Sequence, residues 1–172
     1  MTALLIIAFI FVFLYGSMAF IGAPYVPSKS NDVKKDFKNL YPLGDKDLLI
    51  DLGAGDGIVV QLAVQNGARA IGVELNPLMA FIARIRLRKY SNAQIICANY
   101  YRIKFPKSTT VIYTFGDSRD MDKLYRKVQS EANRLKKPLY FISYAFCIKG
   151  IKPTKKSGVY FLYLVEPEKS LK

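Results

Sequence analysis

Three observations predict a doubly wound α/β fold: a mostly parallel sheet with an antiparallel C-terminal edge strand, preceded by one N-terminal transmembrane helix. Apolar runs of strand length alternate with helical patterns from Leu48 to Leu135, the signature of a wound parallel sheet. The last two apolar runs, Leu139 to Ile148 and Gly158 to Val165, follow one another with no helix between them. A parallel return needs a crossover of a dozen or more residues, so these two pair antiparallel. Finally, no charged side chain occurs before Lys29.

That uncharged stretch sets the first boundary. Ala3 to Ala23 is long and apolar enough to cross about 30 Å of hydrocarbon as a helix. A cleaved signal peptide is the competing reading, but the run lacks a basic n-region and exceeds the usual h-region. Lys29, Lys34, Lys35 and Lys38 follow it, and the positive-inside rule places what comes next on the cytoplasmic face. The expected division is a transmembrane anchor over residues 1–23, a linking segment and helix over 24–47, and an α/β domain over 48–172.

The elements follow in order. Pro24 and Pro27 force extended backbone after the anchor, and Ser30 or Asn31 caps a helix bearing Val33, Phe37, Leu40 and Tyr41 on one face. A strand at Leu48–Leu52 runs into a helix that begins near Asp56 or Gly57 and stops at Asn66-Gly67. Ala70–Glu74 is the second strand, and Asn76-Pro77 caps and opens the next helix. Arg84, Arg86, Arg88 and Lys89 end that helix, where cations complement its dipole. Strands over Gln94–Ala98 and Thr110–Phe115 precede a helix with Met121, Leu124, Val128 and Leu135 at core spacing.

Composition narrows the chemistry. The chain of 172 residues holds one domain's worth of sequence, with 51% hydrophobic residues concentrated at the start. It has no histidine and two cysteines; Cys97 and Cys147 both fall in apolar strand-like runs, which argues against a zinc site. The net charge of +13 suits nucleic acid, anionic lipid or a plain lysine bias, and no aromatic-basic RNA motif accompanies it.

The segment Asp51-Leu52-Gly53-Ala54-Gly55-Asp56-Gly57 carries the functional signal. A buried strand enters a glycine loop with an acid at its end, and glycines allow close approach of backbone to a ligand. The spacing is G-x-G-x-G, with Ile58 where a dinucleotide fingerprint needs its third glycine. An acid ahead of the loop suits a cationic ligand, and S-adenosylmethionine (SAM) carries both an ammonium and a sulfonium. Glu74 ends the next strand 23 residues after Asp51, the place of a ribose-hydroxyl acceptor in nucleoside-binding α/β folds.

With these motifs, the chain resembles the Rossmann-like class I SAM-dependent methyltransferases. More closely it resembles the membrane-anchored lysine methyltransferases of the ATP synthase c-subunit and adenine nucleotide translocase, with their prokaryotic relatives. Ala23-Pro24-Tyr25-Val26-Pro27, the glycine loop and Gly72-Val73-Glu74-Leu75-Asn76-Pro77 carry the likeness. It implies a cofactor site of Asp51, Gly53, Gly55, Asp56 and Gly57 on the methionine side and Glu74 on the ribose, with Asn99 and Tyr100 at the adenine. Asn99 stands where such enzymes place an aspartate, and its amide oxygen can accept the same hydrogen bond. Ser143-Tyr144-Ala145-Phe146-Cys147-Ile148 replaces the family's proline-containing segment after strand five. Phe115-Gly116-Asp117-Ser118 lacks the proline pair of enzymes that act on planar amides or base amines, which argues against DNA and glutamine.

The resemblance implies SAM as cofactor and, as substrate, a lysine on an integral membrane protein beside the bilayer. A lysine nucleophile must first lose its proton, and an apolar pocket favours the neutral amine. Tyr25, Phe115 and Tyr144 are candidates to line that pocket and Asp117 to orient the incoming ammonium; no general base is identified. Methylation of a small molecule, lipid or RNA, and a non-catalytic SAM-binding membrane module, stand as alternatives.

Overall fold

Strand β1 (Leu48–Leu52) is buried along its whole length and lies at the centre of the sheet. The computed structural model describes residues 4–6, 9 and 39–168. The expected transmembrane helix and the Pro24–Pro27 segment lie outside the described residues, apart from residues 4–6 and 9, which are helical. No helix among the described residues is long and apolar enough to cross a membrane.

From β1 the chain winds through α1 (Ile58–Gln65), β2 (Arg69–Glu74), α2 (Pro77–Leu87) and β3 (Ala93–Cys97) on one side. It then returns through β4 (Val111–Thr114), α3 (Met121–Leu135), β5 (Leu139–Tyr144), β6 (Lys155–Ser157) and β7 (Tyr160–Val165) on the other. The sheet order is β3-β2-β1-β4-β5-β7-β6. The first five strands in that order are parallel, and β7 runs antiparallel to β5 from Leu139↔Val165 to Tyr144↔Tyr160. The antiparallel strand expected at the edge is therefore one place in: β6 pairs outside it.

Alternation along the strands divides the core into two layers. Leu49, Val111 and Tyr113 face the layer shared with Ala63, Ala80, Ala83 and Leu87 of α1 and α2. Leu48, Ile50, Leu52 and Ile112 face the layer of Met121, Leu124 and Val128 on α3. Leu40 and Tyr41 pack into the first layer, so the chain enters the domain on the α1/α2 side.

Local rules account for the turns. Asn76 accepts at Oδ1 from the Leu78 and Met79 N–H groups with Pro77 at the first helical position, the expected cap. Asn66 closes α1. One expectation fails: β5 stops at Tyr144 rather than Ile148. Ala145 adopts a left-handed φ of 65°, and the Ser143 hydroxyl donates to the Phe146 carbonyl at 2.8 Å, which folds the chain off the sheet. Cys147 thus lies in a loop, and both cysteines are free and exposed.

Candidate active site

The strand order reverses direction at β1, whose neighbours are β2 on one side and β4 on the other. Open α/β sheets bind ligands in the crevice outside the carboxyl ends of the strands at such a point. Asp51, Gly53, Gly55 and Gly57 follow from the end of β1, Glu74 from β2, Asn99 and Tyr100 from β3, and Phe115 and Asp117 from β4. The topology therefore gathers nearly all of the expected residues at one edge.

The glycine loop is held by short backbone bonds. The Gly53 and Ala54 N–H groups both donate to the Val73 carbonyl, at 2.9 and 3.1 Å, and Gly57 N–H to the Ala54 carbonyl at 2.8 Å. Gly53, Gly55 and Gly57 have φ of 83°, 54° and 80°. At Gly57 the requirement is double, since a Cβ there would also come within 3.0 Å of the Ala83 Cβ.

Two carboxylates from adjacent strand ends face the loop. Glu74 accepts from the Gly55 N–H at 2.8 Å through Oε2 and from the Asn76 N–H at 2.7 Å through Oε1. Each oxygen keeps a further lone pair for a ligand hydroxyl. Asp51 is 2% exposed. Burial, then the neighbouring charges of Glu74 and Asp56, hold its carboxyl well above the usual carboxylate range. No ion pair reaches Asp51 among the described residues. A buried acid without a counter-charge is a place for a cation.

Other expected residues have different partners. The Asp56 carboxylate accepts from Arg86 Nη2 at 2.5 Å and from the Ile58 N–H at 3.3 Å, so it braces the loop from the α2 side. Asn99 Oδ1 accepts from the Tyr101 N–H at 2.9 Å in a local turn. Tyr100 is half-buried, its ring 4.6 Å from that of Tyr101. Phe115 and Tyr144 do come together, stacked at 4.7 Å and 25°, with Tyr160 edge-on to Tyr144 at 4.9 Å. Asp117 is held by Arg119, whose Nη2 lies 2.7 Å from its Oδ2; hydrogen bonds from that residue's side chain and N–H keep the carboxyl far below its ordinary range. Tyr25 lies outside the described residues. Arg86 is the residue that sequence reasoning missed, because nothing in a basic helix end distinguishes the one arginine that reaches back to the loop.

The family model of the ANTKMT methyltransferase domain matches residues 51–155, from the acid before the glycine loop to the start of β6. The chain belongs to this family. Over 111 residues it is 30% identical to the ATP synthase c-subunit lysine N-methyltransferase of Xenopus laevis, covering 63% of this chain and 48% of that protein. The Homo sapiens protein of the same name is 28% identical over 111 residues, 63% of this chain and 46% of its own. The chain thus spans about half the length of the curated relatives it matches. An RNA methyltransferase from Salinibacter ruber, solved with S-adenosyl-L-homocysteine, superposes with a TM-score of 0.75 at 20% identity. The match covers 86% of this chain and 98% of that one, which establishes the Rossmann-like methyltransferase fold for this ANTKMT-family domain.

Proposed function

We propose that this domain binds SAM and transfers its methyl group to a lysine Nε of a membrane protein. The observation that carries the reading is Asp51: a buried acid with no counter-charge among the described residues, set beside a glycine loop and a backbone-oriented Glu74. A ligand that is both a nucleoside and a cation matches that pair. The lysine acceptor is proposed from the named activity of the ATP synthase lysine methyltransferase relatives, and the membrane location from residues 3–23 acting as an anchor with the domain on the cytoplasmic side.

The residues divide the work. Asp51 neutralises the ligand's positive charge, Glu74 accepts from the ribose, and the glycine loop admits both closely. Bound there, SAM supplies a methyl group on a sulfonium leaving group, a reaction that needs positioning more than acid–base help; a near-attack arrangement contributes roughly 7–11 kcal/mol. The stacked Phe115 and Tyr144 rings form an aromatic wall that favours the neutral amine of an incoming lysine. Asp117 is paired with the exposed Arg119 and would orient the incoming ammonium only by exchanging that partner.

Incubating membranes with SAM labelled in its methyl group, and separating protein, lipid and RNA, tests the proposal. Label should enter protein as methyl-lysine with the native chain and disappear with Glu74→Ala. Label confined to lipid or RNA would replace the lysine reading, and no transfer despite SAM binding would leave a non-catalytic module.

A further inference from the structure

Helix α2 has two apolar faces, and among the described residues the fold uses one. Ala80, Ala83 and Leu87 are buried against the sheet. On the opposite side Leu78, Phe81, Ile82 and Ile85 are 45%, 58%, 38% and 50% exposed. Their i, i+3, i+4, i+7 spacing confines the four to one arc of about 100° on a helix of 3.6 residues per turn. A core-facing helix needs only the first face, so this outer stripe is in surplus of what folding requires.

The charged side chains that α2 and its C-terminal end put around the stripe are all cationic. Arg88 and Arg86 fall on its two flanks and Lys89 lies one turn beyond Ile85. No aspartate or glutamate occurs between Glu74 and Asp117, whereas Arg84, Arg86, Arg88, Lys89, Arg102, Lys104 and Lys107 all do. Asp56 pairs Arg86 on one flank, but no ion pair among the described residues reaches Arg88 or Lys89. An apolar arc with such a mostly cationic rim is the surface of a helix that lies in a lipid interface. Nucleic acid would satisfy the arginines but leave four aliphatic and aromatic side chains in water.

We infer that the outer face of α2 seats the domain on an anionic phospholipid surface, in the plane of the headgroups, as a contact additional to any anchor. This does not depend on what the methyl acceptor is. The geometry has a consequence for the site. Since α2 lies flat against the sheet, seating it on the bilayer turns the sheet broadside to the membrane. The crevice at the strand ends then opens sideways along the membrane surface, about one helix diameter (roughly 10 Å) away from it.

The test uses the full chain with Cys97→Ser and Cys147→Ser, carrying one environment-sensitive fluorophore. The label is placed by Phe81→Cys or Ile85→Cys on the stripe, or by Ser130→Cys on α3, on the other side of the sheet. Each protein is mixed with vesicles of phosphatidylcholine alone or with phosphatidylglycerol, bearing a nitroxide at the headgroup level. In the phosphatidylglycerol vesicles the labels at positions 81 and 85 should shift to the blue and be quenched several-fold more than the label at 130. That difference should shrink in high salt. Equal quenching at all three positions, or none at 81 and 85, would overturn the inference. So would a blue shift that needs no lipid and grows with protein concentration, which would mark a second copy as the occupant. An anchor inserting by itself cannot reproduce the positive result, because it brings positions 81 and 130 to the vesicle together.

Discussion

Arg86 grips Asp56 twice, donating from Nη2 to the carboxylate at 2.5 Å and from Nε to the main-chain carbonyl at 2.9 Å. A residue of α2 thereby fixes the last turn of the glycine loop before α1 begins. Replacing Arg86 with Ala should loosen that turn. The pair is partly exposed, at 34% and 15% of the two side chains, so the loss is about 1–2 kcal/mol, or roughly 2–8 °C in Tm. SAM affinity, measured by calorimetry, should fall with it. Unchanged values for both would mean that Glu74 and the backbone bonds to Val73 hold the loop without Arg86.

Asp51→Asn should separate stability from binding. Burial, followed by Glu74 and Asp56, raises the native carboxyl; the folded protein therefore retains a proton that the unfolded chain loses near pH 4. The stability this group contributes is fully present below that pH and is lost as pH rises through the raised folded value. Asparagine cannot ionise, so the variant's Tm should exceed that of the native chain by an amount that grows with pH. SAM binding should weaken sharply in the variant and lose the increase with pH expected for the native acid. A variant that melts lower than the native chain at neutral pH would contradict the assignment.

Glu131 is a buried acid with the opposite behaviour. It is 4% exposed and accepts from Lys127 at 2.9 Å, from Arg134 at 2.5 Å and from the Phe105 N–H at 2.9 Å. Burial pushes its carboxyl up, but Arg134, Lys127 and that N–H together bring it below the ordinary range. Its contribution is present above the unfolded value and is lost as pH falls through the lower folded one. Glu131→Ala strips the acceptor from the buried Phe105 N–H, from the half-buried Lys127 and from the more exposed Arg134, and should cost about 1–3 kcal/mol, read as a lower urea midpoint at pH 7. The gap should close at acid pH.

Gly72→Ala probes contact between strand and loop. An added Cβ would meet Ile95 Cδ1 at 2.6 Å, Ala54 Cβ at 2.7 Å and Val60 Cγ2 at 2.9 Å. Ala54 sits in the glycine loop, so relief of the clash displaces the site as well as the core. A loss of about 1–3 kcal/mol accompanied by weaker SAM binding is expected. Loss of stability with affinity intact would show that Ile95 yields and the loop does not.

The parts of this fold that declared themselves in sequence share a physical cause. β1 and β2 are buried apolar runs ended by an acid and by glycines, and Asn76-Pro77 is a cap whose chemistry is complete within four residues. What stayed hidden depends on distant partners. Lys155-Lys156-Ser157 has no apolar alternation, and it is a strand only because β7 offers it a register from Lys155↔Leu162 to Ser157↔Tyr160. Asp56 and Arg86 lie 30 residues apart, and only the packing of α2 beside the loop joins them. The turn after Tyr144 rests on Ala145, a residue whose identity gives no sign of a left-handed backbone.

The lysines of β6 have a consequence of their own. The sheet finishes on that side with a strand of three residues, two of them cationic, and the Lys156 ammonium leans over the Phe161 ring at 5.1 Å. Another copy approaching this border would find little free backbone to zip onto and two positive charges in its path. Copies crowded together are thus kept from growing into fibres through this border.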